Sequence, residues 1–92
     1  MDMVKGVVDV EQEIMAVGGS LHSDEEKMLL DNGSQQQNLW GINIYFEIEK
    51  EDRIEFDSMI NLRPTQGNRS RSVEDLKIRE RIISITNHLI IF

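Results

Sequence analysis

The sequence predicts an α+β domain: a two-layer ββαββα arrangement in which a small antiparallel or mixed sheet packs against a long C-terminal helix and a short middle helix. Two observations carry this. Apolar residues alternate with polar ones along residues 40–62, the period of a half-buried strand, whereas they recur every three to four residues from Leu76 onward, the period of a helix. Turn and capping residues fall between these stretches, at Gly18-Gly19, Ser23 and Asn32-Gly33. With 92 residues the chain is expected to form a single domain, 1–92, with a thin core.

The first two strands are expected between residues 3 and 19. Val4, Val8, Val10, Ile14 and Ala16 form one alternating set, and a three-residue turn at Glu11-Gln12-Glu13 would set Val10 opposite Ile14 and Val8 opposite Ala16. A single helix here is disfavoured by the clustered valines and the glycine pair. Ser23-Asp24-Glu25-Glu26 has the form of a capping box, so a short helix is expected from there to Asp31, burying Met28, Leu29 and Leu30 and stopping at Asn32-Gly33.

The central hairpin has the strongest alternation. Trp40, Ile42, Ile44, Phe46 and Ile48 share one strand face, and Ile54, Phe56, Ser58, Ile60 and Leu62 share the next. Opposed residues lie on the same face, so the apolar sets pair only across an odd-length turn. Lys50-Glu51-Asp52 supplies one, with Ile48 facing Ile54, Phe46 facing Phe56, Trp40 facing Leu62 and Tyr45 facing Asp57. A polar loop, residues 63–71, leads to Ser72 as expected N-cap and a helix running to the C-terminus, with Ile78, Ile82, Ile85, Leu89 and Phe92 in one stripe. Ile91 falls outside that stripe, which suits contact with a second surface.

Composition removes several function classes. The absence of cysteine excludes disulfides, thiolate catalysis and cysteine-ligated zinc, and suits a reducing compartment. The longest apolar run, Leu89-Ile90-Ile91-Phe92, is far short of the roughly 20 residues of a membrane span, and no signal-peptide pattern opens the chain. A cytoplasmic protein without membrane attachment is expected. Net charge is −7, unevenly spread: residues 1–62 carry fourteen acids against four bases, residues 63–92 three against six. The overall anion disfavours nucleic acid, while the basic end could neutralise the acidic remainder within the chain or across a subunit contact.

Three stretches, VVDVEQEIMAVGG at 7–19, LWGINIYFE at 39–47 and IEFDSMINLRPTQGNRSRSVED at 54–75, resemble a small prokaryotic family of uncharacterised proteins. The resemblance implies an α+β domain and no assigned activity, so no catalytic role is carried over from it. It also implies an additional helical segment ahead of the first strand. If that segment is absent, sheet surface is left uncovered and self-association is favoured.

The loop at 63–71 is the foremost candidate site. Arg63, Arg69 and Arg71, with Gln66 and Asn68, offer donors suited to carboxylate or phosphate, and Gly67 permits a tight turn. The bland reading, that these arginines pair with Asp57, Glu74, Asp75 or a neighbouring chain, is favoured, because structural ion pairs imitate sites well. Asp57 and Tyr45 on the polar sheet face are the candidate catalytic pair, against the stronger expectation of a solvated face. His22 with Asp24, Glu25 and Glu26 matches no ligand spacing and is explained by a helix start, so neither a metal nor a cofactor is expected. These features favour a self-associating binding or structural domain, a dimer or higher homo-oligomer, with the arginine loop as contact surface. The alternatives are an enzyme or binder for a phosphorylated or carboxylated small molecule, and a weak nucleic-acid binder.

Overall fold

The computed structural model describes residues 2–50 and 52–92. Its strands are β1 (Met3–Asp9), β2 (Ile14–Val17), β3 (Leu39–Tyr45) and β4 (Ile54–Glu55), and its helices α1 (His22–Asp31) and α2 (Leu76–Leu89). All strand pairs are antiparallel, in the order β2-β1-β3-β4. The α+β class, the short middle helix and the C-terminal helix are as the sequence implies.

Alternation along β1 and β3 decides where the core sits. Val8, Trp40, Ile42 and Ile44 face α2 and pack with Val73, Ile82 and Ile85. Val7 and Leu39 point the other way and pack with Ala16 and Leu29 of α1. The helices therefore divide between the two faces of the sheet instead of sharing one, because Val7 and Leu39 give the second face an apolar patch that α1 covers. Among the described residues no helix is long and apolar enough to cross a membrane.

The β1–β2 turn has four residues, not three. Val8 stands opposite Met15 and Val7 opposite Ala16, so the expected register is off by one. The buried Asp9 carboxylate builds this turn without glycine: Oδ1 accepts the Glu11 and Gln12 amides at 2.9 Å, and Glu13 takes the left-handed conformation. Burial alone would raise the pKa of Asp9, but these bonds, with those from Ser34 and the Gln12 side chain, outweigh it and hold the group below the usual range.

The central hairpin also differs. Ile54 faces Ile44, not Ile48, and Glu55 faces Asn43, a slide of four residues. An even slide preserves which residues share a face, so the apolar sets still meet. Phe46 and Phe56, Trp40 and Leu62, and Tyr45 and Asp57 are consequently not opposed. Glu51, expected in the turn, lies outside the described residues.

Beyond Glu55 the expected strand is replaced by a 3₁₀ turn at Met59–Asn61, with the Ser58 hydroxyl accepting from the Ile60 amide. In place of the strand, the side-chain amide of Asn61 accepts from the Gly41 N–H at 2.8 Å and donates to the Gly41 carbonyl at 3.0 Å. Glycine at position 41 lets this segment close on the sheet, since a Cβ there would lie 2.6 Å from Ser58 Cβ.

Both helices differ at their starts. Leu21 is the N-cap of α1, with no side-chain cap bond from Ser23. Its inward face is His22, Glu25 and Leu29, while Met28 is 59% exposed. The stop at Gly33 is as expected, with Ser34 and Gly33 amides returning to Leu29 and Leu30. α2 begins at Leu76, capped by Asp75 rather than Ser72, and ends at Leu89. Fully buried Val73 packs into the core just ahead of the extended Asp75 cap.

Replacing Gly41 by alanine is expected to lower unfolding free energy by about 1–3 kcal/mol through overpacking. Urea denaturation would show the loss, and an unchanged midpoint would mean that Ser58 moves away freely.

Candidate functional site

The arginine loop is turned largely inward. Arg63 donates from Nη1 to the Gln36 carbonyl and from Nη2 to the Leu39 carbonyl, and its guanidinium lies 4.2 Å from the centre of the Trp40 ring. Gln66 donates to the Gln37 carbonyl at 2.8 Å. Asn68 is buried and organises the loop, donating to the carbonyls of Asn61, Ser70 and Ser72 and accepting the Glu74 amide. The Arg69 amide is taken by the Glu74 carboxylate, and its side chain has no hydrogen-bond partner among the described residues.

Arg71 is held differently. Its Nε donates to Asp57 Oδ1 at 2.7 Å, while Nη1 and Nη2 have no partner among the described residues. Tyr45, the other half of the expected pair, is not joined to Asp57; its hydroxyl donates to Glu55 at 3.2 Å. Desolvation and the Glu55 carboxylate raise the Tyr45 pKa, so the phenol stays protonated at neutral pH.

Arg71, held by Asp57, is one of the residues lining a cleft of about 220 Å³ between the start of α1 and the 3₁₀ turn, together with Lys5, Leu21, His22, Ser23, Ser58, Met59 and Ile60. Lys5 reaches it from β1 and forms no ion pair among the described residues. His22, at the first position of α1, is about nine-tenths buried, with Nε2 2.8 Å from the Ile42 carbonyl. A carbonyl only accepts, so Nε2 carries the proton, and in the neutral ring Nδ1 holds a lone pair without a partner among the described residues. Burial lowers the His22 pKa, against the Ile42 carbonyl; Lys5 and Arg71 lower it further and Asp57 opposes them. The ring is therefore neutral at neutral pH.

One turn along the same face is Glu25, 3% exposed, whose Oε2 accepts the Gly19 amide at 2.9 Å while buried Oε1 has no partner among the described residues. Burial pushes this carboxyl up to about 7, against the Gly19 bond and Lys5. Among the described residues no group of three or more histidine, aspartate or glutamate side chains is placed to hold a metal ion.

The architecture just described spans the stretches whose wording is most distinctive, and a family profile with the description "Protein of unknown function (DUF5674)" matches residues 1–89. The chain belongs to this family. Comparison with curated proteins and with solved structures gives no match.

Of the residues singled out from sequence, the fold brings Asp57 and Arg71 together and places Tyr45, Arg63, Gln66, Asn68 and Arg69 elsewhere. Lys5 and His22 were not singled out as cleft residues. A signal for His22 was present, since residues 22, 25 and 29 have the i, i+3, i+7 spacing of one helix face.

Glu25 sets an expected pH dependence. Its folded pKa exceeds the ordinary 4.5, so between roughly pH 4.5 and 7 the unfolded chain has released a proton that the folded chain retains. Stability contributed by this group therefore falls as pH rises through that window, then levels off. Chemical denaturation from pH 4 to 8 should show this fall flattened in Glu25→Gln; identical slopes in both proteins would refute the assignment.

Proposed function

We propose that this protein binds a small carboxylate or phosphate in the cleft between α1 and the Met59–Asn61 turn. The observation that carries the reading is the posture of Arg71: Asp57 fixes it through Nε alone, leaving both terminal nitrogens as a fork for an anion. Lys5 adds a second cation, and Leu21, His22 and Ser23 at the start of α1, which has no side-chain cap bond, line the same opening. Neutral His22 presents Nδ1 to the bound molecule and could accept a proton from it. The two cations are confined to one compact cleft, a geometry suited to a small ligand more than to a polymer.

Titration with inorganic phosphate or acetate, followed by NMR, should shift the His22 and Arg71 signals saturably. Loss of one charge-assisted contact is worth ~1.5–3 kcal/mol, so Arg71→Ala and Lys5→Ala should each weaken binding about tenfold or more. The α2 variant Lys77→Ala should bind normally. A bound anion favours the imidazolium, so the His22 pKa should rise on binding. Neither anion producing a saturable shift would defeat the reading.

A second reading, self-association, is supported by the exposed apolar residues toward the α2 end: Ile83, which lines an opening with Ile54 and Phe56, and Leu89, Phe92 and 97%-exposed Ile91. Light scattering across a concentration series should then show a dimer or larger species that Ile91→Asp weakens. A constant monomer mass would remove this reading.

A further inference from the structure

Resting on the anion-binding reading above, we infer that the ligand carries a short aliphatic tail, as in a short-chain carboxylate or an alkyl phosphate monoester. The cleft has a mixed lining. Lys5, His22, Ser23, Ser58 and Arg71 are its polar residues, and Leu21, Met59 and Ile60 its apolar ones. Leu21 is 56% exposed and Met59 62%, so both spend apolar surface on water at the mouth of a polar site.

Neither side chain is needed there by the fold. Leu21 caps α1 through its backbone carbonyl, which accepts the Asp24 and Glu25 amides. Met59 acts in the 3₁₀ turn through its carbonyl, which accepts the Leu62 amide. A single exposed apolar residue means little. Two of them at one opening, joined by Ile60 and set beside an arginine fork, match the division of small-molecule sites into apolar walls and a few orienting polar groups. The cleft's volume, about 220 Å³, is below the roughly 300–1,000 Å³ of sites that hold drug-sized ligands. That leaves room for a head group and a few carbons and argues against a nucleotide.

Each methylene fully buried on binding strengthens affinity about fourfold. Calorimetry with acetate, butyrate, methyl phosphate and butyl phosphate tests the idea on the full chain. Within the preferred head-group series, the four-carbon compound should bind about tenfold or more tightly than its one- or two-carbon counterpart. The paired series also shows whether carboxylate or phosphate is the preferred head.

The double variant Leu21→Ser/Met59→Ser should lose most of that gain, while its affinity for the short counterpart changes less than about threefold. Because both side chains are exposed, the variant should keep the wild-type amide spectrum outside the cleft. Equal binding of short and long compounds, still dependent on Arg71, would overturn the tail and leave the anion site standing. A gain that survives in the double variant would also overturn it, since the tail would then lie elsewhere. Absence of binding by every compound would remove the anion site and this inference with it.

Discussion

The bond pair between the Asn61 side chain and the Gly41 backbone is the constraint on which the rest of this structure depends. β4 has only two residues, so the outer edge of β3 would present an unpaired N–H and C=O at Gly41 inside the protein. Each buried orphan of this kind costs about 1–3 kcal/mol. The asparagine amide, with one donor and one acceptor side by side, stands in for the missing strand. A second donated bond, to the Arg71 carbonyl, ties the returning chain to the same point. Asn68 extends the arrangement by gripping the Asn61 and Ser72 carbonyls. Two buried amides thus fix the segment from Asp57 to Glu74, and with it the height at which Asp57, Ser58 and Arg71 stand over the sheet.

The arginines show how the same side chain serves two ends. Arg63 lies over Trp40, Arg79 over Phe56 and Arg53 over Phe92, covering aromatic faces that a thin core leaves near water. Arg63 and Arg79 also satisfy backbone carbonyls, of Gln36 and Leu39 and of Val73. Their charge is spent on closing loops. Among the described residues Arg71 has no aromatic seat, and its sole side-chain anchor is a carboxylate on one nitrogen. The difference between a structural and an available guanidinium is therefore which nitrogens the fold occupies.

Much of the fold was legible because strand alternation is a local property. Trp40, Ile42 and Ile44 do share the face that packs on α2. Registers were less legible, since they depend on turns whose chemistry is not local in the pattern. Asp9 made a four-residue turn where a three-residue one was expected, and the slide of four at Ile44–Ile54 preserved every face while moving every partner. The stretch 54–62 keeps its alternation yet leaves the sheet after Glu55, where Asn61 takes up the Gly41 backbone groups in place of a strand. The polar side of α1 was hidden for a related reason. His22 and Glu25 looked like the start of a solvated helix, but their burial follows from the Leu29 contact and from the close approach of Gly19 to Glu25. Asp57 and Arg71 were both recognised from the sequence; that they pair, and that Lys5 lines the same cleft as Arg71, is a consequence of topology.

A net charge of −7 argues against an anion site at long range, and screening resolves the conflict. Solvent-exposed charges beyond a Debye length, about 8 Å at physiological ionic strength, are largely screened, so the acidic residues on distant faces slow approach more than they weaken contact. On the proposed reading, the groups available to an anion are Lys5, Arg71 and the start of α1, all of which line the cleft. Two titrating neighbours then act in the same direction. His22 is more often charged as pH falls, and Glu25, which interacts with Lys5, is more often neutral below about 7. Both changes make the cleft more positive at lower pH. The buried carboxylate that weakens the fold at high pH would therefore also set the electrostatics of the cleft, coupling stability and binding through one side chain on the inner face of α1.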